Sequence, residues 1–488
     1  MALAASALAQ VYWPTQTGLF VGEKSGGALR FSGIPYARAE RFRPPILLDL
    51  PVGRFDARRP GPACPQRGSL EIRLGAYLPP QSEDCLNLNL WIPESPPPPG
   101  GWPVMVFLHG GSFTGGGGAV PIYDGAALAQ RGVIVVTLNY RLGPFGFLAL
   151  PGLGEGNGNF GLLDQITALR WVRANIEAFG GDPDRVTLFG QSAGAMSACA
   201  LLTSPLAEGL FSRVILQSGG CDQVKTLAEG FADARTIGKR LGCDPADLAC
   251  WEDLPVERYL TLFDRLDPLF DFNRAPFKPH VDGAVLPDFP ERALAAGAGA
   301  QVELIAGATA DEYRLNLALW AVGPRSWSEF AALAKARGVD PDRAVALYRQ
   351  RFSDPLEAFY AFESERVLIC PALRAARLHS GKSRAYLFAY RPRTWPVAGA
   401  FHGLDIPFVF GTYEVWPFWL VFMTAPELEA ARPLGEVMQT FWTDFARGKP
   451  PKAGWLTWPA YESGWVMGFA RRWGWRPDPF PKRCALFQ

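Results

Sequence analysis

The 488-residue sequence has no excess of charge: 48 Lys and Arg stand against 47 Asp and Glu, a formal net charge of +1. Without a field of one sign, binding to a polyanion is disfavoured and no nucleic acid is expected as a partner. Long hydrophobic runs are lacking too. None approaches the roughly 18 apolar residues that a bilayer-spanning helix needs, so no membrane span is expected. Cysteine is sparse at eight residues, which excludes a disulfide scaffold; any bridge would be a local staple on a real core. Histidine is scarcer still, at four, so few imidazoles can serve as a base. What is present is apolar: 48% hydrophobic and 13% aromatic residues exclude a disordered chain and read as a soluble globular protein.

Division by about 150 residues per domain gives a soft prior of three domains, but the pattern argues for one. Apolar runs at Val104 to Leu108, Val133 to Leu138, Val186 to Phe189, Val214 to Leu216, Val302 to Ala306 and Ala385 to Ala389 alternate with helix-like segments. Buried parallel strands in one long α/β sheet read this way. Residues 11–488 are expected to form a single domain, with a helical insertion at about 315–380 that includes amphipathic stretches such as Ser328 to Ala336, Arg343 to Arg351 and Leu356 to Val367. Such an insertion can cap the carboxyl end of the sheet, where ligands bind in open α/β folds. Residues 1–10 read either as the end of a secretory signal, with a small-x-small site at Ala7 to Ala9, or as a flexible Ala-rich terminus.

The segment Gly190-Gln191-Ser192-Ala193-Gly194 follows an apolar strand and opens the Ala-rich helical stretch Ala195 to Leu202. A serine exposed on so sharp a turn needs glycine two residues to either side, because a Cβ there would strike the adjoining strand or helix. This marks Ser192 as a nucleophile. His109-Gly110-Gly111-Ser112-Phe113, directly after the strand Val104 to Leu108, is the matching loop for an oxyanion hole. Its small residues expose backbone N–H groups, and we assign those of Gly111 and Ser112, with Ala193 as the third donor.

The base is sought among His109, His280, His379 and His402. His109 belongs to the oxyanion loop, and His379, in the basic stretch Arg374 to His379, reads as a solvated surface residue. Nucleophile-elbow hydrolases place the base last in the chain, after the acid. His402, in the loop Gly399 to Gly403, fits; His280 precedes the acid. The acid lies in Gly307 to Glu312, after the strand Val302 to Ala306, and spacing leaves Asp311 and Glu312 both open.

Taken together, these blocks resemble the type-B carboxylesterase and cholinesterase family of α/β hydrolases along almost the full chain. The resemblance is carried by Phe31 to Ala37, Glu83 to Asn89, the His109 loop, Val135 to Leu148 and Asn159 to Gly194. It implies an α/β-hydrolase fold with a large, mostly parallel central sheet. It also implies Glu312 as the acid and His402 as the base, hence a triad of Ser192, Glu312 and His402. Two bridges follow from it, Cys64 to Cys85 and Cys243 to Cys250, and with them a secreted or periplasmic location, the alternative being a cytoplasmic enzyme in which these four are reduced thiols; Cys199, Cys221, Cys370 and Cys484 are left as buried or free thiols.

This sequence departs from the family in three places. Gln191 stands where the family usually has Glu, and no Trp lies between Cys64 and Cys85 to hold a quaternary ammonium by cation–π attraction. Tyr313 replaces the usual Gly after the acid. A neutral short- to medium-chain or aromatic ester is therefore the expected substrate rather than a choline ester, with a longer-chain lipase activity as the alternative and a non-catalytic binding role as a remote one. The chemistry requires no metal or organic cofactor, and a monomer is favoured. Aromatics near the base, Trp395, Phe401, Phe408, Phe410, Trp416, Phe418, Trp419 and Phe422, line an apolar gorge or pack the core; the sequence leaves both open.

Overall fold

A computed structural model describes residues 9–68, 72, 76–154, 156–263, 275–319, 322–414 and 423–487. Residues 1–8 of the suggested signal segment lie outside the described residues, as do Trp416, Phe418, Trp419 and Phe422.

The apolar runs become strands of one mixed sheet. In chain order these are β1 (Gln10–Pro14), β2 (Gly18–Ser25), β3 (Ala28–Pro35), β4 (Gly53–Asp56), β5 (Asn87–Pro93), β6 (Trp102–Leu108) and β7 (Ile134–Leu138), then β8 (Gly181–Gln191), β9 (Arg213–Gln217), β10 (Glu303–Thr309), β11 (Ser383–Phe388), β12 (Trp465–Phe469) and β13 (Gly474–Pro477). Their spatial order is β1-β2-β3-β5-β7-β6-β8-β9-β10-β11-β12-β13, with β4 paired to β2. From β7 to β12 every neighbouring pair is parallel. An antiparallel meander, β1-β2-β3-β5, borders β7 on one side, and β13 closes the other edge antiparallel to β12.

Parallel strands require crossovers, which put helices on both faces and bury the strands completely. All residues of β6 and β7 are accordingly buried. Helix α1 (Phe160–Asn175) and helix α2 (Ala193–Leu202) are two of these covers. Every residue of α2 is buried, and its Ala, Gly and Ser side chains let the helix lie close to the strands: a methyl group at Gly194 would overlap the carbonyl of Leu108 in β6.

Between β10 and β11 the chain forms α3 (Trp327–Ala336), α4 (Pro341–Arg349), α5 (Pro355–Ser364), a π-helical turn over Glu365–Ile369 and α6 (Cys370–Leu378). Ser326, Asp340 and Asp354 cap α3, α4 and α5 by accepting backbone N–H bonds, and Pro341 and Pro355 occupy first-turn positions. Phe330, Tyr348, Phe359 and Phe362 pack these helices around a small core of their own, apart from the two clusters that flank the sheet. The stretch expected to be helical from Leu356 to Val367 is helical throughout, α-helical to Ser364 and π-helical from Glu365.

Cysteine pairing goes further than expected. Cys64–Cys85 and Cys243–Cys250 are joined, with Cα separations of 5.0 and 5.8 Å. Cys199–Cys221 and Cys370–Cys484 are joined as well, each at 5.3 Å, which corrects their reading as thiols. The cause is topological. Parallel pairing of β8 with β9 brings α2, which carries Cys199, beside the loop after β9, which carries Cys221. Cys484, in the short helix Pro481–Cys484, sits against the turn that begins α6; next to it, Arg483 donates to Glu365 at 2.8 Å.

Candidate active site

Ser192 stands between the end of β8 and the start of α2 with φ 56° and ψ −124°, a left-handed conformation that costs strain in any residue with a Cβ. The turn is enforced from all sides. Gly190 backs onto the carbonyl of Gly194, Gly194 onto Leu108, and a Cβ at Gly219 would come within 2.7 Å of the Ser192 carbonyl. The Ser192 N–H donates to Gln217 O of β9 at 2.8 Å. No side chain larger than hydrogen fits at Gly190 or Gly194, and that steric fact is the physical content of the motif.

The loop after β6 rises against this elbow: a Cβ on Gly110 would lie 3.0 Å from the Ser192 Cβ. Gly111, Ser112 and Phe113 all have positive φ, 112°, 55° and 60°. Among the described residues, the N–H groups of Gly111, Ser112 and Ala193 donate to no protein acceptor. Unspent donors beside a strained serine can hold developing negative charge. His109 itself is buried and stacks on Tyr140 with ring centroids 4.4 Å apart; burial pushes its imidazole down to about 4, so it is neutral.

Glu312 and His402 meet across the top of β10. Glu312 Oε2 lies 2.5 Å from His402 Nδ1, while Glu312 Oε1 accepts from the Thr309 N–H at 2.7 Å. The Glu312 side chain is fully buried and that of His402 is 30% exposed, so the imidazole bridges a dry carboxylate and the site's open side. Asp311, the rival carboxylate, points elsewhere: it accepts from Arg391 Nε at 2.7 Å and from the Ala400 N–H at 2.8 Å. Tyr313, where the family usually has Gly, is accommodated by its N–H donating to Ser364 Oγ at 2.9 Å.

The other histidines are structural. His280 is buried, with Nδ1 3.2 Å from Gly158 O, and burial pushes it down to about 4. His379 is not a solvated surface residue: α6 ends one residue earlier, the ring is buried, and its Nε2 lies 2.8 Å from Val302 O.

The family model described as the carboxylesterase family matches residues 11–471. The chain belongs to the carboxylesterase family. It is 37% identical over 458 residues to a para-nitrobenzyl esterase of Bacillus subtilis, covering 92% of each chain. It is 36% identical over 485 residues to a fumonisin B1 esterase of Sphingopyxis macrogoltabida, covering 94% of this chain and 86% of the relative. A Geobacillus stearothermophilus carboxylesterase structure superimposes with TM-score 0.84 at 34% identity, covering 98% of this chain and 100% of that one. The protein is thus an α/β-hydrolase carboxylesterase, a serine hydrolase of carboxylic esters, and no helix among the described residues is long and apolar enough to cross a membrane.

The carboxylesterase site holds one group that sequence reasoning missed and places another, Gln191, that it had noted. Asp405, three residues past His402, is fully buried; its Oδ2 accepts from Gln217 Nε2 and from the Tyr386 hydroxyl, each at 2.9 Å. Burial pushes its carboxyl up to about 6. Gln191 is buried at the end of β8 with its Nε2 3.1 Å from His402 Nε2. Of the aromatics near the base, Phe408 and Phe410 are core residues: Phe410 packs on Phe107 and Phe189 of the sheet, and Phe408 on Phe388.

Proposed function

We propose that this carboxylesterase hydrolyses neutral short- to medium-chain or aromatic esters through a triad of Ser192, His402 and Glu312. The observation that carries the reading is the 2.5 Å contact between His402 and a buried Glu312, in a site that also holds a strained serine elbow and unspent backbone donors. Ser192 Oγ attacks the ester carbonyl carbon while His402 Nε2 takes its proton, and the carbonyl electron pair moves onto oxygen. The N–H groups of Gly111, Ser112 and Ala193 hold that charge. When the intermediate collapses, the C–O bond to the alcohol breaks and the alcohol leaves with the proton from His402. Water, deprotonated by the same imidazole, then releases the acid and restores Ser192. Glu312 keeps the proton of neutral His402 on Nδ1, so that Nε2 has a lone pair to offer.

Neutral substrates are favoured by Gln191, which adds no negative charge beside the nucleophile, and by the absence of Trp between Cys64 and Cys85. The name of the para-nitrobenzyl esterase relative agrees with an aromatic ester. Pairing of all eight cysteines supports an oxidising compartment, secreted or periplasmic.

The test is the initial rate on p-nitrophenyl esters from acetyl to palmitoyl, with Ser192→Ala compared at equal folding. Rates that peak at short or medium chains and vanish in the variant support the reading. A peak at palmitoyl assigns a lipase instead, and an inert wild type removes the triad.

A further inference from the structure

Gln191 lies between the two halves of the catalytic apparatus. Its Oε1 faces the oxyanion loop, 2.8 Å from where a Cβ on Gly110 would stand, and its Nε2 faces His402 Nε2 at 3.1 Å. The direction of the second contact follows from the tautomer. Because His402 Nδ1 gives its proton to the Glu312 carboxylate, the neutral ring has only a lone pair at Nε2, and its partner must be an N–H. The Gln191 amide therefore donates, and its carbonyl turns toward Gly110. Among the described residues no hydrogen bond joins Ser192 Oγ to this nitrogen: the lone pair that must receive the serine proton is held by an amide.

We infer that Gln191 is a positioning residue for His402, its amide N–H occupying the Nε2 lone pair in the resting site and yielding it to Ser192 when substrate binds. The inference rests on the proposed triad. Two consequences follow. The donated bond stabilises the neutral ring with its proton on Nδ1, the form that can act as base. It also opposes imidazolium, whose Nε2–H would meet the amide hydrogens head on. The pH at which the enzyme switches on is therefore set partly by the residue before the nucleophile.

Other ionisable groups face the ring. Glu312 approaches from the loop after β10, and Asp405 from the turn that follows His402, its carboxyl tied to Gln217 of β9 and Tyr386 of β11. Asp311 is engaged by Arg391. None of these residues is itself altered when position 191 alone changes, so differences among variants at 191 report on its contribution.

The experiment records kcat/KM for p-nitrophenyl butyrate against pH in wild type, Gln191→Glu and Gln191→Met, with thermal melts to verify folding. In Gln191→Glu a carboxylate faces Nε2 and favours imidazolium, so the acid limb moves up by about 1 to 3 pH units. Gln191→Met removes the donor without adding charge. Its limb rises by about half a unit to one unit, the equivalent of one ordinary hydrogen bond. If both folded variants keep the wild-type limb, or lose activity equally at every pH, Gln191 is only a structural residue and the inference is overturned. Should Gln191→Glu fail to fold, Gln191→Met alone decides by the same criterion. Failure of the triad looks different: His402→Ala would then retain wild-type activity whatever stands at 191.

Discussion

Replacing Glu312 by Gln tests the site most severely, because the carboxylate does two jobs that a carboxamide cannot do together. Oε2 receives the His402 Nδ1 proton and Oε1 receives the Thr309 N–H; Gln has one acceptor for the two donors. If its oxygen serves Thr309, its NH2 faces the imidazole, and the ring answers by moving its proton to Nε2, where it no longer accepts from Ser192. If the oxygen serves His402, a buried backbone donor at the end of β10 faces another donor, costing about 1–3 kcal/mol of stability. The imidazole can change tautomer at little expense, whereas Thr309 is fixed in the sheet, so the first arrangement wins. By analogy with the wrong-tautomer variant of a serine protease, kcat falls about 10⁴-fold, or about 5 kcal/mol at 1.36 kcal/mol per decade. KM and the melting temperature change little. Stopped assays with p-nitrophenyl butyrate at high enzyme concentration, beside a thermal melt, measure both. Activity within tenfold of wild type in the folded variant would refute the reasoning, since Asp311 is held away by Arg391 and the Ala400 N–H.

Three further outcomes are expected. Gly111→Ala places a methyl group against the Gly115 carbonyl at a residue with φ 112°; moving one oxyanion donor should lower kcat by about 10²–10³, and undiminished turnover would remove Gly111 from that role. His280, pushed down to about 4 by burial, binds its proton more weakly folded than unfolded, so folding stability is lost as pH falls from about 6.5 to 4. That loss is about 3 kcal/mol from this residue; urea midpoints of His280→Gln across this range should fall less steeply on acidification, and parallel curves would refute the assignment. Opening Cys370–Cys484, whose residues are 114 apart, should cost about 5 kcal/mol by the chain-entropy relation, against about 2 for Cys243–Cys250 at a separation of 7. Cys→Ser variants compared in melting temperature test that order.

The strands β6 to β11 are legible in the sequence because crossovers bury them on both faces, leaving uninterrupted apolar runs. The antiparallel flank is not, since β1 alternates exposed and half-buried residues and β4 is mostly exposed, a pattern shared with loops. The elbow is readable because steric exclusion demands glycine at fixed offsets. Deciding between Asp311 and Glu312 took family resemblance, because adjacent carboxylates differ only in where the turn points them. Asp405 left no signal: what holds it, Gln217 and Tyr386, comes from two other strands. The same holds for Cys199–Cys221, a pair made by strand order rather than by spacing. His379 misled because basic neighbours suggest a surface, yet its ring folds under the end of α6 toward Val302.

The four histidines carry a practical consequence. Three of them, His109, His280 and His379, are buried and each places a ring nitrogen against a backbone carbonyl, of Gly110, Gly158 and Val302 respectively. Burial holds all three below the ordinary imidazole range. His402, with a side chain 30% exposed, is the one ring of the four that reaches the open side of the site. An acylating reagent such as diethylpyrocarbonate should therefore find a single imidazole in the folded enzyme, and loss of activity should track modification of that one ring. The chain carries its own reporter on the proton acceptor of the reaction, with no label to introduce and no competing histidine to remove.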